Sequence, residues 1–296
     1  MTQNPTHNIT DQCPPDRQSA EGIRPDVLNY DDFRSLVPFF EGKQRLVERL
    51  MHWFKIDKVN WLHRHNLATP GVPFATGVLR DLGITVQVQG AKVLEQMPAG
   101  QGFITVSNHP FGALDGIMLI HLVGGQRPDF KVMVNMFLNY ITAMRPNFID
   151  VDALASDDPQ KRAVSMRGIA TAMRHVKEGH PLGFFPAGAV SKLRWDLRYE
   201  DRQWQPSIMR MIQRLKVPVV PVYFHGHNSL LFVLLGMISW KLRTLRLPDE
   251  VFRKQGNVMR VSVGRPITPD EQAACETPEA LGEFLKKQTY SMKKWK

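Results

Sequence analysis

An apolar run, Gly102 to Ser107, leads directly into Asn108-His109-Pro110-Phe111-Gly112-Ala113-Leu114-Asp115-Gly116, and a second apolar run, Ile117 to Val123, leads out of it. The first run has the length and composition of a buried strand. The proline and glycines mark a tight turn, and the second run reads as a helix that Gly124-Gly125 ends. Strand, turn and helix in this order set His109 at the C-terminal edge of a sheet, where open α/β folds hold their ligands. Imidazole exchanges a proton near neutral pH, and a carboxylate such as Asp115 can fix its tautomer and stabilise its cation. A hydrogen-bonded structural histidine is the other reading of the same residues.

The rest of the chain supports the same fold class. Residues 1–30 are polar and proline-punctuated and are expected to form a loose tail. From Lys43 to Asn66 the pattern is helical: Leu46, Val47, Leu50, Met51 and Phe54 share a face that Val59 and Leu62 continue. Trp53, Trp61 and several Lys and Arg residues accompany it. Such a helix fits a membrane interface or docks on the domain core. Strands are expected at Ile84–Gly90, Phe130–Val134, Phe148–Asp152, Leu182–Phe185, Val217–Phe224 and Val258–Val263. Helices are expected at Phe74–Leu82, Asn135–Met144, Trp204–Leu215 and 278–292, and from an Asp158 cap to Lys177 with Ala163, Met166, Ile169, Ala170, Met173 and Val176 as its stripe. This alternation predicts an α/β fold with a mixed, largely parallel sheet flanked by helices and an N-terminal amphipathic helical extension.

Four stretches carry a resemblance to a known family. Asn108-His109 with Asp115-Gly116 resembles the first motif of the glycerolipid, PlsC-like acyltransferases, in which four residues separate His from Asp; here there are five, and the extra one is expected in the turn at Gly112. Phe148-Ile149-Asp150-Val151 is similar to the second motif, with Val151 in place of an arginine. Phe185-Pro186-Ala187-Gly188-Ala189-Val190-Ser191 resembles the third, with Ala187, Ala189 and Val190 in place of Glu, Thr and Arg. Val217-Pro218-Val219-Val220-Pro221 resembles the fourth. The Asn-His-Pro-x-Gly form is similar to a bacterial branch of haemolysin-like proteins and amino-acid-lipid O-acyltransferases.

The resemblance implies a membrane-associated O-acyltransferase with no cofactor. Acyl-ACP or acyl-CoA is the donor, and a lysolipid is the acceptor, preferably a lyso-amino-acid lipid. His109 is the implied general base and Asp115 its orienting partner. Asn108, Phe185, Pro186, Gly188, Ser191, Lys192 and Arg194 are the implied substrate contacts, although Lys192, Arg194 and Arg198 also read as a solvated basic face. The implied division is a tail (1–30), an amphipathic membrane-associating region (31–80), a catalytic domain (81–272) and a C-terminal helix (273–296).

The formal charge of +10 suits an anionic membrane surface or an acidic carrier protein. No nucleic-acid motif accompanies it, so no nucleic-acid partner is expected. Cys13 and Cys275 have no metal-ligand neighbours, and His225 and His227 alone make a poor metal site. No signal-peptide pattern and no run long enough to span a bilayer is present, which places the protein peripherally, at the cytoplasmic face of a membrane. Competing readings are a lipid or thioester hydrolase, for which no Gly-x-Ser-x-Gly elbow is found, and a non-catalytic basic membrane-binding protein.

Overall fold

The computed structural model describes residues 23–151, 159–194 and 198–295. The tail through residue 22, Asp152, the Asp158 cap and residues 195–197 lie outside the described residues. From Arg24 the stretch expected to be loose is held: the Arg24 N–H donates to Thr142 Oγ1 (3.1 Å), and the Val27 and Leu28 N–H groups donate to Asn60 Oδ1.

The chain begins with α1 (Tyr30–Leu36), α2 (Gln44–Trp53), α3 (Ile56–Asn66) and α4 (Val72–Asp81). There follow β1 (Thr85–Gln89), α5 (Lys92–Glu95), β2 (Ile104–Ser107), α6 (Ala113–Gly124), β3 (Lys131–Asn135), β4 (Phe148–Val151), α7 (Pro159–Lys177) and β5 (Leu182–Phe184). The remainder is β6 (Lys192–Leu193), β7 (Tyr199–Glu200), α8 (Pro206–Leu215), β8 (Val219–His225), α9 (Leu230–Ile238), α10 (Trp240–Leu245), α11 (Leu247–Arg253), β9 (Val258–Val263), α12 (Pro269–Ala273) and α13 (Pro278–Tyr290).

Seven strands form one sheet in the order β1-β9-β8-β2-β5-β3-β4. Every pair is parallel except β8 with β9, so the sheet is mixed and largely parallel, as the alternation of elements predicts. Side chains alternate between its faces. Val132 and Val134 join a core under α4 and α6, while Met133 between them joins a second core under α7, α8 and α13. β2 lies at the centre, with Val106 beside Phe184 of β5 and Ser107 beside Val222 of β8. The loops that follow β2, β5 and β8 therefore leave the sheet side by side, the first two carrying the first and third motifs, while the fourth motif forms the start of β8.

Three local expectations are corrected. Residues 43–66 form two helices rather than one, because Lys55 takes a left-handed conformation (φ 57°) and its ammonium pairs with Asp249. α3 docks on the domain through Ile56, Asn60, Leu62 and His63, while Trp53 and Trp61 stay exposed. Residues 136–147 form two 3₁₀ turns rather than a helix. Side chains take over the bonding there: the Ala143 N–H donates to His63 Nε2 (3.4 Å) and Arg145 donates to the Asn139 carbonyl, in place of the helical pairing of these two groups. On α7 the inward face is Ile169, Ala172, Met173 and Val176, whereas Met166 is exposed. Gly168 lets α7 press on β4, since a Cβ there would lie 2.0 Å from the Asp150 carbonyl oxygen.

Candidate active site

The turn after β2 is built on Gly112, which caps α6 with φ +81°, a conformation open to glycine and strained for other residues. A Cβ at Gly112 would also meet Leu247 at 2.8 Å. Asp115 lies in the first turn of α6, just beyond this cap. There its Oδ2 accepts the N–H groups of Phe111 (2.8 Å) and Gly112 (3.0 Å).

His109 Nδ1 lies 2.9 Å from the same Asp115 oxygen. The approach is short but is not aligned as a linear N–H···O bond. The imidazole stacks on the Phe185 ring, with centroids 4.3 Å apart. Asp115 is fully buried, and burial pushes its carboxyl pKa up against the pull of His109 and the two N–H donors.

Three segments clasp the turn. Both ends of the Asn108 amide bond to the backbone of Phe224 in β8, as donor at 2.9 Å and acceptor at 2.7 Å. The Ser191 N–H donates to the His109 carbonyl (2.8 Å). Asp201, which no sequence motif signals, accepts from the His109 N–H (3.2 Å), the Ser191 hydroxyl (2.5 Å) and the Trp204 indole (3.2 Å). The Asp201 backbone is held in turn by α13: its N–H donates to the Tyr290 hydroxyl, and Lys286 donates to its carbonyl. Burial pushes the Asp201 carboxyl pKa above its ordinary 3.8. A carboxyl raised in the folded state contributes stability that is complete at acid pH and is lost as pH rises through the folded value. Asp201→Asn is therefore expected to destabilise by about 1–3 kcal/mol at pH 4, through the lost acceptor for Trp204, and by less at pH 7. Thermal melts of both proteins at the two pH values check this; a gap that widens with pH rules it out.

His109 and Phe185 line a largely apolar cavity together with Ile117, Met133, Leu138, Phe148, Val151 and Ile169. No lysine or arginine is found among its described lining residues. Val151, in the position of the missing second-motif arginine, is part of the wall. Gly188 lines the cavity, whereas the Pro186 carbonyl accepts the Gln205 N–H (3.0 Å) below it. Lys192 and Arg194 are exposed on or beside the β6–β7 ribbon and do not line the cavity. His225 Nε2 lies 2.8 Å from Ser262 Oγ, and His227 Nδ1 lies 2.8 Å from the Asn228 carbonyl.

A family model described as acyltransferase matches residues 34–295. A lyso-glycine lipid O-acyltransferase of Phocaeicola vulgatus is 25% identical over 254 residues, covering 83% of this chain and 87% of that protein. One from Bacteroides thetaiotaomicron is 26% identical over 244 residues, covering 80% and 85%. The crystal structure of the 1-acyl-sn-glycerophosphate acyltransferase PlsC from Thermotoga maritima superposes with a TM-score of 0.44 at 16% identity, over 75% of this chain and 83% of that one. A match running from α1 to the end of the C-terminal helical region, over a turn that pairs histidine with a buried aspartate, identifies the chain as a member of the acyltransferase family.

Proposed function

We propose that this acyltransferase moves a fatty acyl group from an acyl-ACP or acyl-CoA thioester to the hydroxyl of a lyso-amino-acid lipid. Lysophosphatidate and other lysophospholipids are the second acceptor class. The reading is carried by the His109–Asp115 pair, whose histidine lines an apolar cavity. With Nδ1 turned to Asp115, Nε2 is left for substrate. It takes the hydroxyl proton as the acceptor oxygen attacks the thioester carbonyl. The tetrahedral oxyanion then collapses, the C–S bond breaks, and the leaving thiolate takes the proton back from the imidazolium. The cavity holds the acyl chain away from water. Asn108, with its amide engaged on Phe224, holds the turn in place.

What favours an amino-acid lipid over a glycerol phosphate is that the two relatives are named for a lyso-glycine lipid. The test supplies labelled acyl thioester with N-(3-hydroxyacyl)glycine or with lysophosphatidate. Diacylated glycine lipid is the expected product, and free fatty acid alone would move the assignment to a hydrolase.

The enzyme works at the cytoplasmic face of a membrane, bound peripherally; no described helix is long and apolar enough to cross one. The support is α9, which exposes Leu230, Leu234, Met237 and Ile238, the last by 77%. Its start is fixed to α11, since the Ser229 N–H and hydroxyl both donate to Glu250. Replacing Leu234 and Met237 together by aspartate is expected to cut binding to phosphatidylglycerol-containing vesicles by about tenfold or more, from lost apolar burial. Unchanged co-sedimentation would remove α9 from this role.

A further inference from the structure

A second cleft opens on the other side of the catalytic turn. Tyr199, Tyr223, Tyr290, His225 and His227 wall it, and Leu230 and Val233 of α9 form one edge. It shares a wall with the turn: Asn108 and Ser191 line it, and the Tyr199 hydroxyl donates to the Pro110 carbonyl (3.3 Å).

Asn228 also lines this cleft and is only 1% exposed, yet neither its side-chain carbonyl nor its amide nitrogen has a hydrogen-bond partner. Buried amides are almost always bonded, because an unpaired one forfeits its hydration without return. An amide left open at both ends and set in a cleft is shaped for a ligand with one donor and one acceptor. Arg198 and Lys293 also line the cleft, and Arg243, outside the lining, stands near its Tyr199 wall. It is half-buried near Tyr199, its guanidinium packs over the Phe232 ring (5.6 Å), and among the described residues no carboxylate pairs with it. Burial pushes its pKa down, the Tyr199 phenol pulls it back, and Arg202 lowers it further.

We infer that this cleft receives the headgroup of an N-acyl amino acid, with the Asn228 amide pairing with the acceptor's amide bond and Arg243 facing its carboxylate. A secondary amide offers one N–H and one C=O, the complement of Asn228. An ester or a phosphodiester lacks the N–H and leaves Asn228 Oδ1 unpaired, so such acceptors are disfavoured. The inference rests on the amino-acid-lipid reading and adds to it the residues that read the headgroup. The cleft lies under α9, the helix assigned above to the membrane, from which a lipid acceptor enters.

The test compares N-(3-hydroxyacyl)glycine with its ester analogue, in which oxygen replaces the amide N–H, on the wild-type chain and on Asn228→Leu. The wild type is expected to prefer the amide by about tenfold or more in kcat/KM. Asn228→Leu loses that preference through the acceptor KM, with the KM for acyl-CoA unmoved. Arg243→Gln raises KM for the carboxylate acceptor but not for its methyl ester. Equal use of amide and ester by the wild type overturns the inference while leaving the amino-acid-lipid reading intact, and it does so without any variant having to fold. Turnover of lysophosphatidate with no use of the amide overturns both together.

Discussion

His109→Ala is expected to lower kcat for acyl transfer on the order of 10³-fold, with the acceptor KM little changed. In the proposed mechanism the imidazole takes the hydroxyl proton and returns it to the thiolate, so its loss affects both halves of the reaction. The fold is expected to survive. The contacts that fix the turn belong to the His109 backbone, whose N–H donates to Asp201 and whose carbonyl accepts from Ser191, and both remain in the variant. Initial rates of labelled transfer, with a thermal melt as control, make the comparison. A folded variant keeping more than about a tenth of the rate would falsify the assignment of His109 as base.

The second large effect is expected for Asp115→Asn, which keeps the shape of the site and still drops kcat on the order of 10²-fold to 10³-fold. An asparagine oxygen at the Oδ2 position still accepts the Phe111 and Gly112 N–H groups, so the start of α6 is preserved. Turning that oxygen to the backbone leaves Nδ1 of His109 without its anion. Presenting the amide nitrogen instead puts an N–H against Nδ1, forces the proton onto Nε2 and removes the lone pair that the mechanism needs. A well-studied serine-protease triad loses most of its rate on the equivalent change, for the same reason of tautomer. The two residues act as one unit, so the double variant is expected to be no slower than His109→Ala alone. Full additivity of the two losses, measured as a kinetic cycle, contradicts the pairing.

What could be read in advance followed how far apart the interacting residues lie along the chain. The contact between His109 and Asp115 is local, and one glycine tolerant of positive φ is enough to build it. The sheet is legible because apolar runs alternate with helical periods; its order is not, since nothing in β8 announces that it lies between β2 and β9. Lys192 and Arg194 follow the third motif in sequence, but a two-residue strand at Lys192–Leu193 turns them into solvent. Proximity along the chain was a poor guide there. Asp201 left no signal, because its partners lie 92, 10 and 3 residues away and a lone aspartate after a short strand has no period to betray it. Hydrophobic periodicity likewise marks an apolar face without saying what covers it, which is why α3 packs on the domain while Trp53 beside it stays in the open.

The hold of α13 on Asp201 has a consequence for how the enzyme comes into being. The His109 turn depends on an aspartate 92 residues further on, and the backbone of that aspartate depends on a lysine 85 residues beyond it. At a synthesis rate of about 5–20 residues per second, the turn leaves the ribosome roughly 10–35 s before its last support. For that interval a nascent chain already carries its histidine and aspartate but not the clamp that positions them. Under the proposed mechanism, acyl transfer begins late in the birth of the molecule, once α13 has docked.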